Sequence, residues 1–146
     1  MMEIRAKCRR LKQRHDLRLV VIDYLQLMSS GKRVESRQQE VSEFSRAIKL
    51  LAKELEVPVI AISQLNRGSE QRTDKKPQMS DLRESGSIEQ DADMVMMIHR
   101  EDMYEKESPR AGEADIMLVK HRNGPTTTIT VAFQGHYSRF VDMAHM

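Results

Sequence analysis

The sequence is poor in the residues that build disulfides and aromatic surfaces. Its 146 residues include one cysteine, no tryptophan, three tyrosines and three phenylalanines. A single thiol, that of Cys8, excludes an internal disulfide and a cysteine-based zinc cluster, and it suits a reducing compartment. With so few aromatic rings, extensive stacking of nucleic-acid bases on side chains is not expected.

Long apolar runs are missing as well. None approaches the length of about 18 residues that a membrane-spanning helix needs, and no apolar stretch of a secretory signal follows the basic amino-terminal segment. We therefore expect a cytoplasmic protein without a membrane partner. The chain length and the absence of a linker predict one domain over residues 1–146.

Charge is unevenly distributed, although the net charge is only +2. Residues 1–18 contain seven Lys and Arg against two acids, whereas residues 81–105 contain eight acids against two Arg. This is not the uniform basicity of a histone-like protein. Segment 1–18 would nevertheless suit a local surface that faces phosphates.

An apolar run that ends in an acid carries the first functional information. Leu19 to Ile22 are four consecutive apolar residues, which predicts a strand buried on both faces, as in a parallel sheet. Asp23 follows directly, at the carboxyl end of the strand, where open α/β sheets place their ligands. A carboxylate there can hold Mg²⁺ beside a nucleotide phosphate, directly or through water, as in the Walker B motif of P-loop ATPases.

The partner of that motif, Gly-x-x-x-x-Gly-Lys-Ser/Thr, does not occur in these 146 residues. The chain therefore reads as the second half of a nucleotide-binding domain, and we expect it to be inactive by itself. Asp23 has a plainer interpretation too, because strands often end in Asp where a turn or helix cap follows.

The apolar periodicity predicts a βαβ unit in the first half of the chain. A first helix covers residues 2–15 and a strand covers residues 18–23. A second helix opens at Ser36, where Gln39 completes a capping box, and it ends before Val57-Pro58. A second strand follows over residues 57–63, so the unit is expected to be right-handed.

The second half of the chain is predicted to be mostly β structure. Residues 64–80 are polar and aperiodic and predict a mobile loop, and residues 86–91 predict a short helical turn. The Asn123-Gly124 step predicts a tight hairpin. The predicted strands are 93–99, 114–121, 126–133 and 138–141.

Three further polar residues are candidates for chemistry. Gln64 lies at the end of the second strand and could orient an attacking water or contact a γ-phosphate, or merely end the strand. Leu118, Lys120 and Arg122 are spaced two residues apart, with Val119 between the first two. In a regular strand we therefore expect the two bases to share a face with Leu118. They could neutralise charge on a transferred phosphoryl group, or form a basic edge that blocks aggregation.

Four segments together resemble one family. They are Val-Val-Ile-Asp-Tyr-Leu-Gln-Leu-Met (20–28), Ser-Gln-Leu-Asn-Arg (63–67), Asp-Leu-Arg-Glu-Ser-Gly-Ser-Ile-Glu-Gln-Asp-Ala-Asp (81–93) and Lys-His-Arg-Asn-Gly-Pro (120–125). In order and spacing they resemble the carboxyl-terminal motor domain of DnaB-type bacterial replicative helicases. The resemblance implies a RecA-like α/β fold, a homo-hexameric ring, and ATP- and Mg²⁺-dependent 5′ to 3′ movement on single-stranded DNA, unwinding duplex at the fork.

The resemblance also implies roles for individual residues. Asp23 corresponds to the Walker B acid at Mg²⁺ and Gln64 to the switch between nucleotide and DNA. Lys120 and Arg122 correspond to a basic finger that reaches the neighbouring subunit's nucleotide. The residues that match the DNA-facing channel loop are Arg83, Glu84 and Gly86.

The family further implies primase and a helicase loader as partners, and a nucleoid-associated location. Two other interpretations stay open from the sequence. One is another RecA-like hexameric ATPase, against which the 81–93 segment and the Lys-x-Arg pair argue. The other is a non-catalytic assembly module.

Overall fold

A computed structural model describes residues 1–28 and 36–144, without the side chains of residues 83–86. The helices are α1 Met2–His15, α2 Arg37–Leu55, α3 Gly68–Gln71 and α4 Gly86–Asp91, and the strands are β1 Val20–Ile22, β2 Val59–Ala61, β3 Met94–His99, β4 Glu113–His121, β5 Thr127–Gln134 and β6 Arg139–Asp142. Short 3-10 helices lie at Leu25–Leu27, Met79–Ser85, Glu101–Met103 and Gly135–Tyr137. The chain divides into unit 1, residues 1–66 and 82–92, and unit 2, residues 67–81 and 93–146.

Unit 1 contains the predicted βαβ arrangement. Strands β1 and β2 pair in parallel, with Val20 opposite Val59 and Ile22 opposite Ala61. Helix α2 begins as predicted, because the Ser36 side chain accepts a hydrogen bond from the Gln39 backbone N–H. The apolar periodicity that predicted this helix is confirmed, since its apolar positions are buried: Val41, Phe44, Ile48, Leu51 and Leu55.

The expectation that these strands are buried on both faces is wrong. Ile22 is buried and packs with Leu25 and Ile48, which covers one face of β1. On the other face Val21 is 55% exposed and Ile60 is 43% exposed. Among the described residues the parallel sheet has two strands, so an apolar run that suits a sheet covered on both sides here meets the core on one side only.

Segment 82–92 is attached to α2 within unit 1. The Ser45 hydroxyl donates to Asp91 Oδ2 at 2.8 Å, and Ile88 packs against the cluster of Ile22, Leu25 and Ile48. The predicted helical turn at 86–91 is confirmed by α4. The helical part of the 81–93 motif is therefore held on a long, well-packed helix.

The basic residues of α1 are largely paired with acids. Arg5 donates to Glu54 Oε2 at 3.0 Å and Arg9 also contacts the Glu54 carboxylate. Lys7 pairs with Glu3, and Lys12 and Arg18 pair with Asp16. Five of the seven bases in residues 1–18 thus have carboxylate partners, which weakens the case for a phosphate-facing surface there.

Unit 2 is built on a four-stranded antiparallel sheet in the order β3-β4-β5-β6. Along β3 the side chains alternate, with Val95, Met97 and His99 buried and Met94, Met96 and Ile98 exposed. The turn between β4 and β5 contains Gly124, where an added Cβ would lie 2.5 Å from the His121 ring. A side chain at this position would force the His121 ring to move. The connection over residues 122–126 is longer than the predicted tight hairpin.

Residues 67–81 contain a short helix and an ion pair within the predicted loop. They contain α3, and the Arg72 guanidinium forms two bonds to the Asp81 carboxylate, at 2.8 and 2.7 Å. Arg72 lowers the pKa of Asp81, which is buried. The loop prediction stands for residues 72–78, which form neither helix nor strand, and is wrong for α3. The attachment of this segment could not be predicted, because an ion pair between residues nine positions apart leaves no periodic pattern.

Among the helices of the described residues, none is long and apolar enough to cross a membrane.

Candidate functional site

The carboxyl edge of the parallel strands of unit 1 gathers two of the predicted site residues. Asp23 follows Ile22 at the end of β1, and its side chain is exposed. Gln64 comes three residues after Ala61, the end of β2. Because Ile22 lies opposite Ala61 in a parallel register, both strands end at this edge.

The chemistry of Asp23 fits a magnesium ion. Carboxylate oxygen is the donor that Mg²⁺ prefers, and an exposed Asp can bind it directly or through water. Within the described ranges no three His, Cys, Asp or Glu side chains gather to form a metal cage. One carboxylate with water and phosphate oxygens is the usual way in which proteins hold Mg²⁺ beside a nucleotide.

The backbone of Gln64 is held by the side chain of Gln26, which lies in the 3-10 helix after β1. Gln26 Nε2 donates to the Gln64 carbonyl oxygen at 3.0 Å, and the Gln64 N–H donates to Gln26 Oε1 at 3.1 Å. Gln26 Nε2 also donates to Ser63 Oγ at 3.0 Å. The carboxamide of Gln26 thus uses both of its donor hydrogens and its acceptor to bind Ser63 and Gln64, which follow β2.

The segment that carries Gln26 is itself fixed. Leu25 is almost fully buried, and its N–H donates to the Ile62 carbonyl at 2.9 Å. Arg37, in the first turn of α2, donates to the carbonyl oxygens of Gln26 and of Met28, the latter at 2.8 Å. Arg37 also pairs with the buried Glu40. The turn after Asp23 is therefore tied to both β2 and α2.

Lys120 and Arg122 lie in unit 2, at the turn end of β4. The Arg122 backbone N–H donates to the Asp93 carbonyl at 2.9 Å, and Arg122 Nη1 lies 2.8 Å from Asp93 Oδ1. The side chains of this pair are 49% and 55% exposed. The guanidinium is thus directed by a carboxylate but remains open to solvent.

The predicted alternation along β4 is wrong at one point. Lys120 lies opposite Val95 and Leu118 opposite Met96, so Val119 is an extra residue without a partner. Such a bulge moves the residues that follow it to the other face. Lys120 and Arg122 still share a face, because Arg122 bonds to Asp93, two residues from Val95, but Leu118 lies on the opposite face.

The predicted DNA-binding residues lie in the segment that α2 holds. Arg83 and Glu84 belong to the 3-10 helix Met79–Ser85, and Gly86 is the first residue of α4, so the backbone is helical rather than an open loop. Their side chains lie outside the described residues. DNA contact by these residues stays a prediction.

Sequence reasoning did not find several residues that the structure brings to these sites. Gln26 and Arg37 hold the turn after Asp23, and Asp93 directs Arg122. Asp81 and Asp93 begin and end the 13-residue motif, and each pairs with an arginine of unit 2, which are Arg72 and Arg122. The sequence signal that could have identified Gln26 and Asp93 is that they lie inside segments 20–28 and 81–93, which resemble the family.

Comparison with known proteins agrees with these features. The family of DnaB-like helicase C-terminal domains matches residues 1–142. A replicative DNA helicase DnaB of Leifsonia xyli subsp. xyli is 77% identical over 99% of this chain, which covers 32% of that protein. The DnaB helicase of Mycobacterium intracellulare is 76% identical over 99% of this chain, which covers 25% of it.

Two solved structures agree as well. One, described as an ATPase domain, superposes with a TM-score of 0.91 at 45% identity, over 97% of this chain and 50% of that one. A DnaB-like replicative helicase described with its interactions with primase gives the same score and identity, over 35% of its chain. This chain spans about a quarter to a third of the curated relatives. On the match over residues 1–142, the chain belongs to the family of DnaB-like helicase C-terminal domains.

Proposed function

We propose that these residues are part of the ATP-driven motor of a replicative DNA helicase that moves 5′ to 3′ on single-stranded DNA and unwinds duplex at the fork. The observation that carries this proposal is the parallel register of β1 and β2, which brings Asp23 and Gln64 to the same edge of the sheet. Membership of the helicase family supports it. We also propose that residues 1–146 form part of one RecA-like motor domain of the whole protein.

Asp23 is the residue that would hold Mg²⁺ with the phosphates of ATP. The ion would supply positive charge beside the phosphates while the γ-phosphoryl group is transferred to water. Asp23 directly follows Ile22, whose side chain is buried, while Asp23 itself is exposed to solvent. The phosphate-binding loop that normally accompanies such an acid is not among these residues.

Gln64 would sense the γ-phosphate from the same edge. Its side-chain amide can both donate to a phosphate oxygen and accept from an attacking water. Loss of the γ-phosphate after hydrolysis would remove one of those bonds. Because Gln64 leads directly into Leu65 and Asn66, a change in its position would pass to the polypeptide that follows β2.

Lys120 and Arg122 would act on the nucleotide of the next subunit in a homo-hexameric ring. Their positive charges would stabilise the transferred phosphoryl group in the transition state. Support comes from the ladder, which places both bases on one face at the end of β4, and from the exposure of Arg122. In this assignment Asp93 orients Arg122.

Arg83, Glu84 and Gly86 would form the surface that meets single-stranded DNA. Arg83 would contact a backbone phosphate, and Gly86 would let the DNA approach the main chain closely. Glu84 would order the segment or pair with a neighbouring Arg, since it repels phosphate. The attachment of α4 to α2 supports this role, because a contact surface needs a fixed base.

The partners of the whole protein would be those of a replicative helicase, namely primase and a helicase loader. One solved relative is described in contact with primase. The place of work would be the replication fork, in the nucleoid and therefore in the bacterial cytoplasm.

Unwinding by the full-length protein tests the proposal. We expect ATP-dependent unwinding of a fork with a 5′ single-stranded tail and none of a substrate with only a 3′ tail. Asp23→Asn should abolish ATP hydrolysis and unwinding, whereas Asp16→Asn, at an exposed acid after α1, should leave both unchanged. Unwinding from a 3′ tail, or hydrolysis that survives Asp23→Asn, would contradict the proposal.

A further inference from the structure

The carboxamide of Gln26 continues the ladder of the parallel sheet where the main chain of β1 has left it. Main-chain bonds join the strands as far as Ile62, whose N–H donates to Ile22 and whose carbonyl accepts from Leu25, both at 2.9 Å. The next main-chain pair, the N–H and carbonyl of Gln64, bonds to the Gln26 side chain instead. A primary amide can do this because it presents a donor and an acceptor side by side, as a peptide group does.

The orientation of this amide is fixed by its neighbours. With Nε2 facing the Gln64 carbonyl and Oε1 facing the Gln64 N–H, all polar atoms are matched. The reversed amide would place its oxygen against the carbonyl and its nitrogen against the N–H, so both bonds would be lost. Gln26 therefore fixes both the position and the register of the Gln64 backbone.

Gln26 also lies on the segment that starts at Asp23. Two residues separate it from the acid, and this segment is fixed by buried Leu25 and by Arg37. A displacement of this turn must either move the Gln64 backbone with it or break two hydrogen bonds. The two strand ends therefore form one mechanical piece, joined by the main-chain bond from Leu25 to Ile62 and, beyond it, by the Gln26 side chain.

We propose that Gln26 is a positioning residue that couples the Asp23 turn to Gln64, so that the acid and the switch glutamine move together when the bound nucleotide changes. This inference rests on the proposed function, because it gives Gln64 the role of the switch. In this assignment Gln26 acts through Gln64 and not through a contact of its own with nucleotide or DNA. Its effect is to set where the Gln64 side chain lies when ATP reacts.

The test uses the full-length protein and a change that keeps the size of the side chain. Gln26→Glu retains an acceptor for the Gln64 N–H but places a carboxylate against the Gln64 carbonyl. Gln26→Met removes all three hydrogen bonds without adding charge, and it serves if the first variant does not assemble into rings. Gln13→Glu, at an exposed site on α1, is the matched control for charge and residue type.

With DNA present, we expect kcat for ATP hydrolysis to fall about tenfold or more in Gln26→Glu and Gln26→Met, since two or three ordinary hydrogen bonds position the switch. The KM for ATP should stay within about twofold, because no contact to the nucleotide is lost. In a Gln64→Ala background the Gln26 changes should have no further effect on kcat, since their action runs through Gln64. A merely structural role would instead lower kcat again in that background.

The outcomes separate the inference from the function it rests on. If Gln64→Ala removes DNA stimulation but Gln26→Glu and Gln26→Met behave like Gln13→Glu, the coupling by Gln26 is wrong and the switch role stands. A further loss of kcat in the Gln64→Ala background also overturns it. If Gln64→Ala itself hydrolyses ATP like the wild type, the switch role is wrong and the inference falls with it.

Discussion

Arg122 is joined to Asp93 twice, once through the backbone at 2.9 Å and once through the side chains at 2.8 Å. The backbone bond fixes where Arg122 leaves β4, and the carboxylate fixes where its guanidinium lies. The final residue of the 81–93 motif is therefore bound to the residue proposed as the arginine finger.

The first prediction is that loss of the Asp93 carboxylate slows catalysis without changing stability. Asp93→Asn should lower kcat for ATP hydrolysis in the full-length protein by about tenfold, because the finger loses a charged partner that holds it. The thermal midpoint should hardly change, since an ion pair this exposed contributes at most about 1 kcal/mol. Steady-state kinetics and a thermal scan check both.

Asp142→Asn, at an exposed acid on β6, is the control for loss of one negative charge in the same unit. If Asp93→Asn hydrolyses ATP as fast as Asp142→Asn, Asp93 does not position the finger.

A second prediction concerns DNA binding by Arg83. In the full-length protein Arg83→Ala should weaken binding of single-stranded DNA and flatten its dependence on salt, because one phosphate contact per subunit is lost. Nucleotide binding should survive. Fluorescence anisotropy at several salt concentrations measures the slope, with Arg14→Ala on α1 as a control. Lower affinity for nucleotide with an unchanged salt slope would contradict the assignment.

A third prediction follows from the partly buried ion pair of Arg110 and Asp115 in unit 2. Arg110 donates to Asp115 at 2.9 and 2.7 Å, and the Thr130 hydroxyl donates to it at 2.8 Å. These bonds, above all those from Arg110, lower the pKa of Asp115 from 3.8 to about 2. That shift corresponds to about 2 kcal/mol of stability at neutral pH.

Because the pKa of Asp115 is lower in the folded state, this stability is complete above about pH 4 and is lost as the pH falls toward 2. Asp115→Asn should therefore lower the thermal midpoint clearly at pH 7, and the difference from wild type should narrow below pH 4. A midpoint at pH 7 equal to that of the wild type would show that the ion pair does not stabilise this unit.

A fourth prediction concerns the 146 residues by themselves. We expect negligible ATP hydrolysis, because the Gly-Lys-Ser/Thr loop that cradles the phosphates does not occur among them. Phosphate release by the purified 146-residue chain, compared with the same chain carrying Asp23→Asn, measures this. Turnover that Asp23→Asn removes would contradict the interpretation as half of a nucleotide site.

The sequence was sufficient for the parts of the fold that repeat along the chain. The apolar periodicity of α2 and the capping box at Ser36 are local patterns, and both were predicted correctly. The strand at β3 was predicted too, but the alternation of buried and exposed side chains along it was not. Strand identity was also predictable, but the exposure of Val21 was not. A run of apolar residues shows that a strand can be covered on both faces, and not what covers it.

The candidate site was harder to predict from the sequence, because its contacts join residues that are far apart along the chain. Gln26 and Gln64 are 38 residues apart, and Asp93 and Arg122 are 29 apart, so neither pair produces a periodic pattern. The bulge at Val119 was invisible for a related reason. Alternation assumes an unbroken ladder, and the extra residue is defined only by pairing with β3.

The most direct test asks whether Arg122 acts on the nucleotide of its neighbour. Rings are assembled from covalently linked dimers of the full-length protein that carry Asp23→Asn in one protomer and Arg122→Ala in the other. If Arg122 acts across the interface, every second interface keeps both intact residues and ATP hydrolysis should persist in part. The reference dimer carries both substitutions in one protomer, which damages every interface, and it should be inactive. Hydrolysis by the reference dimer together with none by the divided dimer would show that Arg122 acts within its own subunit and would contradict the account.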